Sequence, residues 1–291
     1  MFANVNGYKI YFDVDGLQYE PDGPKMKEKP VCFVLHGGPG GDHSLYVDQY
    51  AFLKEIFQLV YIDDRNCGLS DHIDATTNSM KQNVEDLEAL REYLGLDKIY
   101  IIGQSYGGMK AQYYIINHPE HLYGAILACT SPNATCINPM RNAEHIKEWG
   151  TPEQYDFWMN QELYKGKLDF KDFMGRMGSL YHAKGHFDLD SYINGMARAI
   201  LSNDVINYQM TKGDMTNYDY IEDLKKVNLP VLELCGEKDF ICDYDANKQI
   251  ADAIPGCEFH AIKDASHEIF ADFPEQVLPL VRDFVNRTFK K

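Results

Sequence analysis

The sequence lacks long apolar runs and paired cysteine motifs. No stretch of its 291 residues approaches the roughly 20 consecutive apolar residues that a membrane-spanning helix needs. The opening segment MFANVNGYKIYFDVDG has neither the basic start nor the apolar core of a signal peptide, so we expect a cytoplasmic protein that does not bind membranes. The seven cysteines are odd in number and include no Cys-x-x-Cys pair, which predicts free thiols in a reducing compartment.

Basic residues are scarce relative to acidic ones. The 28 Lys and Arg residues face 44 Asp and Glu residues, which gives a formal net charge of −16. Such a surface repels phosphate backbones and anionic lipids, so nucleic acid is not an expected partner. The acidity favours solubility and is also compatible with attraction of a cationic or amine-bearing substrate.

Metal and cofactor motifs are also missing. His182 and His186 are four residues apart near Asp188, but no third ligand motif accompanies them. The glycine-rich stretch HGGPGG lacks the Gly-Lys-Ser/Thr of a phosphate loop and the spacing of a dinucleotide fingerprint. We therefore predict neither a metal nor a cofactor.

Short apolar runs alternate with helical patterns along most of the chain. VCFVL, KIYIIG and LPVLELCG are continuous apolar runs, as expected for strands buried on both faces. Ser79 with Gln82 fits a capping box, and Gly95 can end the helix that begins there. A strand pair is expected around Asn6-Gly7, and a polar loop over EPDGPKMKEKP. The alternation predicts an α/β fold with a mostly parallel sheet flanked by helices.

The alternation stops near Ser131-Pro132. From there to about residue 215 the sequence is helical in pattern and rich in aromatic residues, and buried-strand runs resume only afterwards. We therefore predict a core formed by residues 1–131 and 216–291, with a helical cap inserted as residues 132–215.

Ser105 lies in a motif that suits a nucleophile. GQSYG matches Gly-x-Ser-x-Gly between a predicted strand and a predicted helix, which is the context of a nucleophile elbow. Glycines flank the serine because larger side chains would clash in so tight a turn. The alternative is a serine with a purely structural role in an ordinary strand-to-helix turn.

A serine nucleophile needs a base and an acid that orients the base. In this fold the order along the chain is serine, acid, histidine. His267 follows the last predicted strand and is the candidate base, whereas His260 within that strand and His36 beside the glycine loop are expected to be structural. Asp239 follows the preceding strand and is the candidate acid, with Asp243 and Asp264 as alternatives.

The loop HGGPGG is a candidate oxyanion hole. Acyl transfer puts negative charge on the substrate oxygen, and fixed backbone N–H groups can receive that charge without reorganising. Gly38 and Tyr106, the residue after the candidate nucleophile, are the predicted donors.

Together, HGGPGG, DDRNCGLS, GQSYGGM, GEKD and ASHE resemble the prolyl aminopeptidase (proline iminopeptidase) group of α/β-hydrolases over nearly the whole chain. The resemblance implies an α/β-hydrolase fold, a catalytic triad of Ser105, Asp239 and His267, and oxyanion donors at Gly38 and Tyr106. It implies release of an N-terminal residue, proline first, from short peptides through an acyl-enzyme.

Two departures from the family pattern concern the substrate's free amine. Family members hold that amine with glutamates, whereas the corresponding positions here carry Tyr208 and Phe240. We expect both to line the substrate site, with Glu144, Asp214 or Asp243 as replacement carboxylates. The aromatic replacements keep open an esterase, lactonase or amidase for a small apolar or aromatic acyl group. A non-catalytic binding module is a third reading, disfavoured by the intact set of catalytic residues.

Overall fold

A long, mostly parallel sheet forms the centre of the molecule. The computed structural model describes residues 1–136, 138–160 and 165–290. Within these ranges, the central sheet consists of β1 (Phe2–Val5), β2 (Tyr8–Asp15), β5 (Val31–Leu35), β6 (Gln58–Ile62), β7 (Ile99–Gln104), β8 (Leu122–Ala128), β9 (Val231–Gly236) and β10 (Glu258–Ile262). Across the sheet, these eight strands follow the order β1-β2-β6-β5-β7-β8-β9-β10, and they are antiparallel only where β2 pairs with β1 and β6.

Helices cover both faces of this sheet. The core helices are α1 (Val47–Tyr50), α2 (Met80–Tyr93), α3 (Tyr106–Asn117), α9 (Ile221–Leu224), α10 (Tyr244–Ala253), α11 (Ile269–Asp272) and α12 (Pro274–Thr288). One apolar cluster joins α2, α3 and α10 to the sheet, and a second joins α11 and α12 to the opposite face. Strands β5, β7 and β9 are buried along their whole length because both of their faces are covered. The predicted fold class is confirmed.

The start of α2 follows the sequence signal. The Ser79 side chain accepts a hydrogen bond from the N–H of Gln82 at 3.1 Å, which satisfies one of the free donors at the helix start. Gly95, with φ +66°, follows the helix end.

The prediction of a polar loop over EPDGPKMKEKP was wrong in part. Its residues take part in a separate hairpin of β3 (Tyr19–Asp22) and β4 (Lys25–Glu28). The turn between them contains Gly23, whose φ of +59° suits glycine. Its mostly exposed side chains give no alternation of apolar and polar residues, so the pattern used to find strands is absent.

Between β8 and β9 the described residues form helices, and we call residues 132–215 the cap segment. The helices are α4 (Pro139–Trp149), α5 (Pro152–Asn160), α6 (Phe170–Tyr181), α7 (Leu189–Arg198) and α8 (Asn203–Thr211). All of them except α7 share an apolar cluster that includes Trp158, Phe173 and Met177, joined by Phe240 from the core. No helix in the described ranges is both long and apolar enough to cross a membrane.

Candidate active site

Ser105 occupies a strained turn between β7 and α3. Its backbone has φ 57° and ψ −127°, a combination that side-chain-bearing residues rarely adopt. A Cβ at Gly103 would lie 2.2 Å from the carbonyl oxygen of Gly107, and one at Gly107 would lie 2.2 Å from that of Leu35. The two glycines are therefore required by close backbone approach. The sequence motif adopts the strand-turn-helix geometry that was expected of it.

Asp239 and His267 meet from two neighbouring strand ends. Oδ2 of Asp239 lies 2.7 Å from Nδ1 of His267, and the two residues are 0% and 3% exposed. The other carboxylate oxygen accepts the N–H groups of Ile241 and Cys242 at 2.9 and 3.0 Å. A Cβ at Gly236 would lie only 2.0 Å from the carbonyl oxygen of Ser266, so glycine lets the two loops approach.

The surroundings of His267 favour its charged form. Burial lowers the pKa of the imidazole, but the Asp239 carboxylate more than offsets this, and the net effect is a raised pKa. The carboxylate of Glu268 adds to the increase. The Tyr181 ring packs edge-on against the imidazole, with centroids 5.3 Å apart, and restricts its orientation.

The alternative acids have other partners. Asp243 caps α10 through the N–H of Ala246 and pairs with Arg141. Asp264 pairs with Lys238 at 2.6 Å on the surface. Neither is hydrogen-bonded to His267 among the described contacts.

The two histidines expected to be structural lie away from this pair. His36 is 1% exposed, its Nε2 accepts the N–H of Asp64 at 3.1 Å, and its Nδ1 lies 2.9 Å from the carbonyl oxygen of Gly37 in the glycine loop. Lys110, fully buried, is ion-paired to the Asp64 carboxylate at 2.5 Å. His260 is half-buried within β10.

Gln104 connects the serine strand to the histidine loop. Its Nε2 donates to the carbonyl oxygen of His267 at 2.7 Å and to Oε2 of Glu268 at 3.3 Å. Its Oε1 accepts the hydroxyl of Tyr50 at 2.8 Å. Since Gln104 is 1% exposed and directly precedes Ser105, these bonds fix the relative position of two candidate catalytic residues.

The glycine loop lies beside the serine. Gly37 and Gly38 line the same cavity as Ser105 and His267. The N–H of Gly37 is donated to the Tyr46 hydroxyl at 2.7 Å. Tyr106 is the first residue of α3, so its N–H has no intrahelical acceptor.

The cavity that contains these groups has a volume of about 580 Å³. Core residues, among them Ser105 and His267, form the floor of this cavity. Residues of the cap segment form most of its walls. Apolar side chains of α6, α7 and α8 supply much of the wall, namely Phe173, Met174, Met196, Ile206 and Met210. The cavity therefore suits a small substrate with an apolar part.

The three residues expected to bind substrate lie outside the described cavity wall. Glu144 is exposed on α4, and Tyr208 is half-buried on α8. Phe240 is 1% exposed and packs edge-on against Tyr181 and Trp158, so it supports the residue that holds the imidazole. Direct substrate contact by these three side chains stays a prediction.

Two residues at the site were missed by sequence reasoning. Gln104 directly precedes the candidate nucleophile, and Glu268 directly follows the candidate base. Their positions next to candidate catalytic residues were the signal that could have identified them. Asp214, a proposed replacement carboxylate, instead accepts the N–H of Met80 at 2.6 Å and does not line the cavity.

In the described part of the chain, two groups of side chains have the spacing of metal ligands. Cys129 lies near Asp239 and His267, but burial raises the pKa of its thiol, and the other two are bonded to each other. Glu88 lies near His118 and His121 and is paired with Arg91.

The histidines near Asp188 do not form such a group among the described residues. His182 bonds Asp272 at 2.8 Å through Nδ1, and His186 packs against the Phe273 ring with centroids 4.6 Å apart.

Comparison with known proteins identifies the family of the chain. Residues 30–274 match the family described as alpha/beta hydrolase fold. A proline iminopeptidase of Lactobacillus helveticus is 25% identical over 296 residues, covering 97% of this chain and 95% of the relative.

Solved structures share the fold over nearly the full length. The proline iminopeptidase of Mycobacterium smegmatis has a TM-score of 0.78 at 20% identity, covering 99% of this chain and 98% of the other. The enol-lactonase of Burkholderia xenovorans LB400 has a TM-score of 0.70 at 19% identity, covering 98% of this chain and all of the other. The motif resemblance to proline iminopeptidases is thus confirmed at the level of sequence, and the chain belongs to the α/β-hydrolase fold family.

Proposed function

We propose that this protein is a serine hydrolase that releases an N-terminal residue, proline first, from short peptides. The observation that carries the proposal is the meeting of three features in one cavity. These are the strained Ser105 turn, the Asp239–His267 pair and the glycine loop. The similarity to proline iminopeptidases over nearly the whole chain supports the aminopeptidase choice.

The proposed reaction begins at the hydroxyl of Ser105. His267 accepts the hydroxyl proton while the oxygen attacks the substrate carbonyl, and the Asp239 carboxylate stabilises the imidazolium that forms. The N–H groups of Gly38 and Tyr106 receive the negative charge on the carbonyl oxygen. His267 then gives its proton to the leaving amine, which departs and leaves an acyl-enzyme. Water, deprotonated by His267, releases the acid and restores Ser105.

The cap segment limits the size of the substrate in this proposal. A cavity of about 580 Å³ lies within the range of roughly 300–1,000 Å³ that is common for small-molecule sites. We propose that residues 132–215 act as a cap over the core, so that short peptides fit and folded proteins do not. No cofactor takes part in the steps above.

A second candidate is an esterase, lactonase or amidase for a small apolar or aromatic acyl group. The methionine-rich wall favours it, since Met174, Met196 and Met210 offer flexible apolar contact. The shared fold with an enol-lactonase is compatible with this reading.

Covalent labelling tests the chemistry common to both candidates. A fluorophosphonate probe is expected to label the wild type, and labelling is expected to be lost in Ser105→Ala. Ser44 also lines the cavity, so Ser44→Ala is the matched control and should still be labelled. Folded wild type that resists the probe would instead favour a non-catalytic binding module.

Substrate rates then separate the two candidates. Hydrolysis of proline-naphthylamide, measured beside p-nitrophenyl acyl esters, is expected if the protein is an aminopeptidase. Good ester turnover with no release of naphthylamine would leave the esterase reading.

A further inference from the structure

Most carboxylates in the cavity wall already have a partner. Four line the cavity in the described part of the chain. Asp48 pairs with Arg198 at 2.5 Å. Asp272 lies 2.8 Å from Nδ1 of His182 and also accepts a backbone N–H. Asp188 caps the start of α7 through a backbone N–H at 2.7 Å. Asp48 and Asp272 are therefore paired with basic side chains of the protein, and Asp188 is engaged as a helix cap.

The fourth carboxylate, Glu268, forms no ion pair with a Lys, Arg or His side chain among the described residues. The hydrogen bond that its side chain accepts there is the long contact from Gln104 Nε2, at 3.3 Å. Its charge also acts at longer range on the imidazoles of His182 and His267 and raises the pKa of both. The side chain is half-buried and faces the cavity beside His267. A partly desolvated carboxylate without a counter-charge is costly unless a ligand supplies that charge.

Aromatic side chains share the wall with this carboxylate. Tyr46, Tyr181 and Tyr192 line the cavity, and burial together with the nearby Glu268 charge raises the pKa of each phenol. The hydroxyl of Tyr46 accepts the Gly37 N–H, and that of Tyr192 donates to a backbone carbonyl. Neither hydroxyl donates a hydrogen bond to Glu268 among the described contacts. Tyrosine rings also provide a favourable environment for a cation.

We propose that Glu268 binds the ammonium group of an aminoacyl substrate whose carbonyl lies at Ser105. The proposal rests on the proposed hydrolase function and names the feature that selects its substrate. Glu268 directly follows His267, so the carboxylate and the candidate base lie on the same wall. The replacement carboxylates suggested by the sequence are exposed or engaged elsewhere, as described above for Glu144, Asp214 and Asp243.

The test compares two esters that differ by one ammonium group. The p-nitrophenyl ester of alanine carries the group, and p-nitrophenyl propionate lacks it. The selectivity is the ratio of kcat/KM for the alanyl ester to that for the propionyl ester. Glu268→Gln keeps the shape and an acceptor for Gln104 but removes the charge. We expect the selectivity to fall about 10- to 100-fold, because a hydrogen bond to a charged group contributes roughly that factor.

The control is Asp48→Asn, which removes a cavity carboxylate that is already paired with Arg198. We expect its selectivity to stay within about twofold of wild type. Raising the pH should lower the wild-type selectivity as the substrate amine loses its proton, and Glu268→Gln should flatten that dependence.

Unchanged selectivity in Glu268→Gln would overturn the proposal, and so would an equal loss on both esters. Fluorophosphonate labelling of the same variant distinguishes this failure from that of the proposed function. A labelled variant with unchanged selectivity rejects only the role of Glu268, whereas unlabelled wild type rejects the hydrolase itself.

Discussion

The core and the cap segment hold their residues in different ways. In the core, the candidate catalytic groups sit at strand ends and are fixed by buried polar contacts, such as that between Gln104 and the carbonyl of His267. In the cap segment, apolar packing among residues such as Trp158 and Phe173 dominates, and ion pairs such as Arg176 with Asp172 are exposed. Directional contacts suit chemistry that needs fixed geometry, whereas apolar contacts adapt more readily to substrate shape.

Buried charge shows the same difference. Lys110, with 0% exposure, is paired with the Asp64 carboxylate, which also lies beside the His36 imidazole. The cap segment's Arg198 is more than half exposed and pairs with Asp48. Changes to polar core residues should therefore reduce rate or stability strongly, and changes to the cap wall should mainly alter substrate preference.

The largest effect is expected for Asp239→Asn. The substitution keeps the size of the side chain but no longer stabilises the imidazolium or fixes its tautomer, so kcat should fall by about 10⁴-fold. Steady-state hydrolysis of p-nitrophenyl esters measures the loss. Asp243→Asn and Asp264→Asn are the matched controls, and a comparable loss in either would reassign the acid.

The wild-type pH profile adds a second readout to that experiment. Because the Asp239 carboxylate raises the pKa of His267, the rise of kcat/KM with pH should be centred above about 6.5, the ordinary value for histidine. The imidazole must be neutral to accept a proton, so activity is lost as the pH falls. A profile centred below that value would contradict the assigned environment.

A smaller effect is expected for Gln104→Leu. The variant removes the link between the serine strand and the histidine loop, and a displacement near 1 Å can cost about 10²-fold in kcat. Gln112→Leu is the control, because Gln112 is equally buried but bonds the carbonyls of Gly108 and Ser131 away from the histidine. Circular dichroism with ester kinetics separates lost stability from lost positioning. Equal kcat losses in both variants would mean that Gln104 stabilises the fold but does not position the histidine.

The sequence was most informative where local chemistry demands particular residues. The Ser105 turn needs glycines at fixed positions, and buried parallel strands need continuous apolar runs, so both could be predicted. Contacts between distant segments leave no such local pattern. The partner of Gln104 lies 163 positions away, and the position of the Glu268 carboxylate in the cavity wall is visible only once that wall is assembled. Phe240 was expected at the substrate because of its position after Asp239, and that position gave no sign of its edge-on packing against Tyr181.

A modest, pH-dependent change in the free energy of unfolding is expected when Glu233 in β9 is replaced. The residue is 0% exposed, neither carboxyl oxygen has a hydrogen-bond partner among the described residues, and burial raises its pKa well above the ordinary value. The folded state therefore binds a proton that the unfolded state releases above about pH 4.3, so the free energy of unfolding falls as pH rises through that window. Glu233→Met should increase the free energy of unfolding by about 1–3 kcal/mol at neutral pH.

Urea unfolding at pH 5 and pH 8 measures the Glu233 effect. The gain from Glu233→Met should be larger at pH 8, where keeping the buried carboxyl protonated is more costly. Glu237→Gln is the control, since Glu237 is exposed in the loop after the same strand. A gain of the same size at both pH values would indicate better packing alone.

The smallest effect is expected in the cap segment, for Met174→Ala. Met174 is half-buried on α6 and lines the cavity, so its truncation enlarges the apolar wall without touching Ser105 or His267. We expect stability to change by less than about 1.5 kcal/mol and kcat on a short acyl ester to be nearly retained, while KM rises several-fold because apolar contact is lost. Met159→Ala, on the exposed side of α5, should change neither constant. A fall in kcat with unchanged KM would mean that this wall positions the reacting carbonyl, and the division of roles between core and cap segment would fail at that point.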